Sequence, residues 1–283
     1  MNTTLASGSV SELAPGVRRL VAPNAGMMTG PGTNTYLLGV RDVAVIDPGP
    51  AIDSHVDAIV NAAGLGLRWV LVTHTHPDHS PAATLLARRT GAALLGHPAP
   101  AGQHQDATFH PDRVLADGDV LSVGEFELDV IHTPGHASNH LCFLHSQLQW
   151  LFTGDHIING STVVIDPPDG NMADYLQSLE KLKGFEIAAI APGHGDIIRA
   201  PYAAIDWIIS HRLEREDKVA AAVAANADLT THELVVCVYK DVDTALYDVA
   251  ERSLLAHLEK LEQERRVVRR GGRWWIRDTR PDV

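Results

Sequence analysis

Short apolar runs alternate with glycine- and proline-containing turns along the first 200 residues. Residues 68–73 are apolar without interruption, which predicts a buried strand, and residues 36–47 predict two shorter strands around a turn. Residues 80–90 predict a helix with Ser80 as its N-cap, and residues 172–183 carry leucines at helical spacing. This alternation predicts an α/β fold in which helices cover packed sheets.

The pattern changes after residue 200. A long helical run over residues 203–224 is followed by a capping box at Thr230 and Glu233, which opens a short helix. Residues 244–262 predict a third helix, and residues 267–277 predict two strands around paired glycines. Three helices followed by a β-hairpin are the element order of a winged helix.

The two predicted domains, residues 1–200 and 201–283, differ in charge. The 283-residue chain has a formal net charge of −12, and residues 1–200 hold 10 basic and 20 acidic side chains. An acidic body disfavours sequence-independent binding of nucleic acid. Residues 265–280 hold seven arginines against one aspartate, and this basic tip could contact a phosphate backbone. A solvated hairpin edge is the simpler interpretation of the tip.

The cysteine content and the hydropathy indicate the cellular compartment in which we expect the protein. Cys142 and Cys237 cannot build a disulfide framework, so we expect a reducing compartment and a cytoplasmic location. Both cysteines lie in apolar runs and are expected in the core. The sequence has no apolar run of about 18 residues, so we expect no membrane span.

Seven metal-ligand side chains follow apolar runs that predict strands. Four of them lie within six residues directly after the strand predicted at 68–73, and three more segments each end on a single ligand beside a glycine or another small residue. The seven are His74, His76, Asp78, His79, His136, Asp155 and His194. Imidazole and carboxylate groups suit zinc, and seven ligands suffice for two sites if a carboxylate is shared.

This set resembles the metallo-β-lactamase superfamily, which is marked by HxHxDH followed by single His, Asp and His ligands. The resemblance extends to the beta-lactamase-like protein 2 type of hydrolase, which has a C-terminal winged-helix domain, and it covers nearly the whole chain. The segments that carry it are GTNTYLL at 32–38, HTPGHASNH at 132–140, TGDHIINGST at 153–162, PGHGD at 192–196 and HRLEREDK at 211–218. The resemblance implies an αβ/βα sandwich with the metals between the ends of two sheets.

The resemblance also implies roles for single residues. The first metal is held by His74, His76 and His136, the second by Asp78, His79 and His194, and Asp155 bridges the two. We expect Asp78 also to accept a proton from the attacking water. Outside the ligands, Tyr175 is a candidate for substrate contact, with packing of its helix as the simpler interpretation, and Asp47, His140 and His156 are candidates for support of the ligands.

The function expected is that of a dinuclear zinc hydrolase in which a metal-bridging hydroxide, formed because the pKa of the bound water falls to about 7, attacks a carbonyl carbon or a phosphorus. Iron or manganese are alternatives to zinc. The substrate is expected to be a small ester, thioester or lactone, or single-stranded RNA, in which case the protein is an endoribonuclease. A homodimer is compatible with this interpretation.

Three other hypotheses remain open. A glyoxalase II-like thioesterase has a similar ligand spacing but a different C-terminal region, and a persulfide dioxygenase-like enzyme would hold one iron in place of two zinc ions. A winged helix that only binds DNA is disfavoured, because the predicted helix 244–262 carries more acidic than basic side chains.

Overall fold

The structure is a computed structural model that describes residues 7–277, with the exception of residues 103 and 227. Within these residues, two sheets form the N-terminal part and one small sheet lies near the C-terminus. The first sheet contains β1 (Ser11–Ala14), β2 (Val17–Val21), β3 (Asn34–Leu38), β4 (Val43–Ile46), β5 (Leu67–Leu71), β6 (Ala93–Gly96) and β7 (Arg113–Val114), in that spatial order. The second contains β8 (Val120–Val123), β9 (Phe126–His132), β10 (Leu141–His145), β11 (Trp150–Gly154) and β12 (Ala189–Pro192), also in sequence order.

The helices lie between and after these strands. They are α1 (Asp53–Ala63), α2 (Ala82–Thr90), α3 (Met172–Leu182), α4 (Pro201–Ala225), α5 (Thr231–Val238) and α6 (Tyr247–Gln263). The small sheet pairs β13 (Leu229–Thr230) with β15 (Arg273–Ile276), and β15 with β14 (Val267–Arg270). No helix in the described part of the chain is long and apolar enough to cross a membrane.

Three apolar layers hold the two large sheets and their helices together. Phe143 and Phe152 of the second sheet pack with Tyr36 and Leu71 of the first, so one layer lies between the sheets. On the outer face of the first sheet lie α1 and α2, which contribute residues such as Ile59. On the outer face of the second lie α3 and the first half of α4. This is the expected αβ/βα sandwich.

Parallel pairing brings the ends of several strands to one edge. β4 pairs in parallel with β5, and β5 with β6, while β11 pairs in parallel with β12 in the second sheet. The carboxyl ends of parallel strands point the same way, so the loops after β5 and β12 can bring their side chains close together.

The C-terminal elements follow the expected order of three helices and a hairpin. The capping box is formed: Thr230 Oγ1 accepts a hydrogen bond from the Glu233 amide, and Glu233 Oε2 accepts one from the Thr230 amide. Trp274 of β15 is fully buried among side chains of α4, α5 and α6. The structure therefore confirms the winged-helix prediction.

One helix belongs to both halves of the molecule. Near its start, Ile205 and Ile208 of α4 pack against the second sheet, whereas Val219 and Val223 pack in the winged-helix core. The domain boundary at residues 200 and 201 therefore stays a prediction, because no break in packing marks it.

Candidate metal centre

All seven ligand side chains predicted from the sequence lie at the same edge of the sandwich. Four of them follow β5, and the others follow β9, β11 and β12. Their ligand atoms form two groups, in each of which the atoms lie within 4.8 Å of one another. The first group is His74, His76 and His136, and the second is Asp78, His79, Asp155 and His194.

The first group consists of three converging imidazoles. His76 Nδ1 lies 3.0 Å from both His74 Nε2 and His136 Nε2. Burial, followed by the neighbouring imidazoles, lowers the pKa of His74 well below its ordinary value, and burial with His136 lowers the pKa of His76 to about 3. Neutral imidazoles are the form that binds a metal ion, so this group is ready for one.

The second group alternates imidazoles with carboxylates. His194 Nε2 lies 3.2 Å from oxygens of both Asp78 and Asp155, and His79 Nε2 lies 3.4 and 3.3 Å from the same two atoms. Burial opposes charge on His194, but Asp155 and Asp78 together outweigh it and raise the pKa to about 10. Asp78, Asp155 and Asp47 likewise outweigh burial at His79 and raise its pKa.

Asp155 connects the two groups. Its Oδ1 faces His79 and His194 of the second group, while its Oδ2 lies 3.8 Å from His136 Nε2 of the first. A carboxylate with one oxygen toward each group is the arrangement that a bridging ligand requires.

Three of the four residues in the second group have a buried ligand atom that forms no hydrogen bond in the described part of the chain. Within the described residues, His79 Nε2, His194 Nε2 and Asp155 Oδ1 are buried and form no hydrogen bond. Buried polar atoms are rarely left unpaired, because desolvation then has no compensation. Two groups of imidazole and carboxylate donors that converge in this way fit two metal ions.

Asp47 supports ligands in both groups. Its Oδ2 lies 2.9 Å from His79 Nδ1 and accepts a hydrogen bond of 2.7 Å from Thr73 Oγ1. Because Thr73 gives its proton to Asp47, its oxygen can accept one from His74 Nδ1 at 3.0 Å, which leaves His74 Nε2 free to bind a metal. The structure therefore assigns Asp47 the supporting role considered for it.

Backbone carbonyls hold two further ligands. His136 Nδ1 donates to the Val164 carbonyl over 2.7 Å, and His194 Nδ1 donates to the Gly32 carbonyl over 3.2 Å. Both bonds fix the tautomer that leaves Nε2 as the ligand atom.

Gly193 allows the chain after β12 to pass close to the site. A Cβ at this position would lie 2.6 Å from Asp155 Oδ1 and 2.8 Å from His79 Cε1. No side chain fits there without displacing a ligand.

A cleft of about 800 Å³ opens from the two groups toward the C-terminal helices. Ligands of both groups line it, together with Met27 and Met28 of the N-terminal part. Arg212 of α4 and Val249 of α6 also line it. A volume of this size suits a small-molecule substrate.

Tyr175 does not contact this cleft, which corrects the expectation that it binds substrate. Its side chain is fully buried in the layer outside the second sheet, and its hydroxyl donates to the His156 carbonyl over 2.9 Å. Burial raises its pKa to about 12. The apolar spacing of the helix, which places Tyr175 on the core face, was the relevant signal.

His140 and His156 do not hydrogen-bond to the ligands. His140 stacks on the His74 ring at 4.9 Å, and its Nδ1 lies 3.1 Å from Thr133 Oγ1. His156 lies against the Tyr175 ring. Their support of the site is therefore steric.

Sequence reasoning missed two polar residues beside the ligands. Thr33 Oγ1 donates to Asp78 Oδ2 over 3.2 Å, and Thr73 links Asp47 to His74. Thr73 directly precedes the first ligand and Thr33 lies in the GTNTYLL segment, but neither position indicates what the hydroxyl contacts.

The pattern of a metallo-beta-lactamase superfamily model matches residues 28–194, which are more than half of the chain. The chain belongs to the metallo-beta-lactamase superfamily. A beta-lactamase associated winged helix domain model matches residues 230–274. A beta-lactamase-like protein 2 homolog of Drosophila melanogaster is 31% identical over an alignment of 277 residues that covers 90% of this chain and 91% of that protein.

Two other proteins extend the comparison. An atrochrysone carboxyl ACP thioesterase of Paecilomyces divaricatus is 28% identical and covers 94% of this chain and 87% of its own. A beta-lactamase domain protein of Burkholderia ambifaria has a crystal structure that superposes with a TM-score of 0.83 at 23% identity, over 97% of this chain and 95% of that one. The last match shows the shared fold. Membership of the superfamily, with relatives named as thioesterases, identifies the chain as a metal-dependent hydrolase.

Proposed function

We propose that this hydrolase uses two metal ions to cleave a thioester or ester bond in a small-molecule substrate. The observation that carries the proposal is Asp155, whose two carboxylate oxygens face separate groups of ligands. Each of those groups contains at least three donor side chains, which is the number that a zinc site with one open position needs.

Zinc suits both groups best, although iron and manganese also bind imidazole and carboxylate. His74, His76 and His136 would hold one ion, Asp78, His79 and His194 the other, and Asp155 both. When bound, zinc supplies Lewis-acid polarisation of a carbonyl oxygen and a water whose pKa is lowered to about 7.

Among the protein's own groups, we propose Asp78 as the acceptor of the proton from water. It is the more exposed of the two carboxylates in the site, at 26% of its side chain against 13% for Asp155. Its pKa is lowered because His79 and His194 outweigh its burial, so it is ionised and able to accept. Thr33 donates to one of its oxygens and thereby orients the carboxylate.

The winged-helix part would position the substrate. α6 contributes Val249, Ala250 and Ser253 to the cleft wall, and Ser253 Oγ accepts a hydrogen bond from the Ile165 amide beside the site. The arginines of the tip that lie within the described residues, Arg265 to Arg277, do not line the cleft, and Arg280 lies outside those residues. A small acyl substrate therefore fits this cleft better than a polyanion held by the tip.

The proposal is tested by hydrolysis assays on zinc-loaded protein. Butyryl thioesters should be hydrolysed to acid and thiol, and butyryl esters to acid and alcohol. A thiol reagent detects the thiol, and a pH indicator in weak buffer detects the proton that the acid releases. Single-stranded RNA should be cleaved far more slowly. Efficient RNA cleavage without thioester hydrolysis would refute the acyl substrate, and oxygen consumption with a persulfide would point to an iron oxygenase.

A further inference from the structure

We propose that Arg212 binds a carboxylate or phosphate group of the substrate, so that the enzyme prefers acyl substrates that carry a negative charge. This inference rests on the acyl-hydrolase function proposed above. It concerns a side chain of α4 that lines the cleft, as do the exposed Met27 and Met28.

Arg212 is a buried cation without a counter-ion. Its side chain is 4% exposed, and within the described part of the chain no carboxylate forms an ion pair with it. The other two arginines of the cleft are paired: Arg215 lies 3.0 Å from Asp241 and Arg252 lies 3.4 Å from Asp166.

The contacts that Arg212 does make leave its charge uncompensated. Nη2 donates to the Val163 carbonyl, the guanidinium lies over the Tyr175 ring at 5.5 Å, and Nε is buried without a hydrogen bond. A guanidinium stays protonated at every relevant pH, so it cannot relieve burial by losing its proton. A buried charge is costly unless an opposite charge accompanies it. An anionic group in the cleft would supply that charge.

Arg212 also lies close to the metal ligands. The Val163 carbonyl that accepts its hydrogen bond is followed by the Val164 carbonyl, which accepts from the ligand His136. One strip of backbone therefore supports both the guanidinium and a metal ligand. A substrate anchored at Arg212 would therefore share one cleft with ligands of both groups.

One part of the cleft lining is apolar and fits an acyl chain. It consists of Val163, Val242, Leu246, Val249 and Ala250. Apolar lining together with one unpaired cation favours a short hydrocarbon that carries one anion. The anion is a carboxylate at the end of the acyl chain or a phosphate on the thiol side.

Three thioesters distinguish these two sources. Butyryl-N-acetylcysteamine carries neither anion, glutaryl-N-acetylcysteamine adds a carboxylate to the acyl chain, and butyryl-CoA adds phosphates to the thiol. In Arg212→Gln, kcat/KM for one anionic substrate relative to the neutral one should fall roughly 10- to 100-fold, the usual effect of one lost charge-assisted hydrogen bond at a buried site. If the ratio falls for glutaryl-N-acetylcysteamine, Arg212 binds a carboxylate of the acyl chain. If it falls for butyryl-CoA, Arg212 binds a phosphate on the thiol side.

Two variants serve as controls on this ratio. Arg212→Lys keeps the charge and should retain part of the preference, whereas Arg199→Gln removes an exposed arginine that does not line the cleft and should change the ratio less than roughly threefold. If Arg212→Gln leaves both ratios unchanged while the metal content is normal, Arg212 has only a structural role and the inference is wrong.

A second pair of variants keeps the inference testable if Arg212 variants do not fold. Val249→Glu adds a carboxylate to the cleft, and Val249→Gln adds its uncharged equivalent. Because the carboxylate repels an anionic substrate, kcat/KM for the anionic thioester relative to the neutral one should fall only in Val249→Glu. If the wild type cleaves none of the three thioesters, the proposed function fails, and binding decides the inference. Glutarate or inorganic phosphate should then bind roughly tenfold more weakly to Arg212→Gln than to wild type at equal metal content. Equal binding of both would overturn it.

Discussion

Asp47 supports one ligand in each group, His79 directly and His74 through Thr73. It adopts a φ of 49°, a conformation that aspartate tolerates better than most side chains, and so turns its carboxylate toward Thr73 and His79. The ligands themselves could be predicted from the sequence, because an unusual density of donors follows each apolar run. Thr73 and Thr33 could not, since a threonine beside a ligand is common and only the fold shows what its hydroxyl contacts.

Replacement of Asp47 by Asn should weaken metal binding without unfolding the protein. The amide keeps the shape but loses the charge that His79 faces, and the loss of such a supporting carboxylate costs roughly 10- to 100-fold in metal affinity. Titration with a chelator measures the affinity. Asp53→Asn, an exposed acid at the start of α1, is the matched control, and equal affinities in the two variants would contradict the role of Asp47.

The raised pKa values in the second group predict how stability depends on pH in metal-free protein. His194 has a pKa of about 10 in the folded state against 6.5 in the unfolded one, so its contribution is full below 6.5 and is lost as pH rises through 10. The urea midpoint of metal-free protein should therefore fall between pH 7 and pH 10. In His194→Gln the fall should be smaller. A midpoint that rises over this range would contradict the assignment.

At the scale of elements, the sequence predicted much of the order of strands and helices but not β1, β2 or α1, and several details depended on distant contacts. The helix expected from Ser80 begins at Ala82, because Ser80 Oγ donates to Asp106 instead of capping it. His145 is buried in β10 although its side chain is polar. Local pattern fixes the type of an element, whereas its partners decide which side chains it buries.

The end of β12 gives a prediction at this scale. Gly193→Ala should displace Asp155 or His79 and lower metal affinity at least roughly tenfold, because its Cβ would lie 2.6 Å from Asp155 Oδ1. Gly184→Ala is the control, since its Cβ would meet only the Lys181 carbonyl, at 3.3 Å, after α3. Elemental analysis after dialysis measures the difference. Full metal content in Gly193→Ala would show that the strand end can move.

At the scale of the whole molecule, the cleft depends on both halves of the chain. The candidate metal ligands come from strand ends of the sandwich, and residues of α4 and α6 line the same cleft. No sequence pattern predicted this contact, because the apolar faces of α4 and α6 show that they are buried but not against what. The unpaired charge of Arg212 became visible only with the packing.

The basic tip offers a test at this scale. Arg273 donates to the Asp228 carbonyl and the Arg269 guanidinium lies over the Trp274 ring at 5.4 Å, so the hairpin uses its arginines locally. Replacing Arg269, Arg270 and Arg273 together by Ala should leave thioester hydrolysis within roughly twofold, because exposed charges contribute little. RNA binding whose salt dependence flattens by about one unit of slope per lost contact would instead give the tip a function.

The bridging role of Asp155 is tested most directly by elemental analysis of wild type, Asp155→Ala and His194→Ala, each paired with a thioester assay. Wild type should hold two metal ions per chain. Asp155→Ala should lose metal from both groups together with hydrolysis, because each group faces one of its oxygens. His194→Ala should lose mainly one ion. A single iron in the wild type, or two metals and normal turnover in Asp155→Ala, would contradict the account.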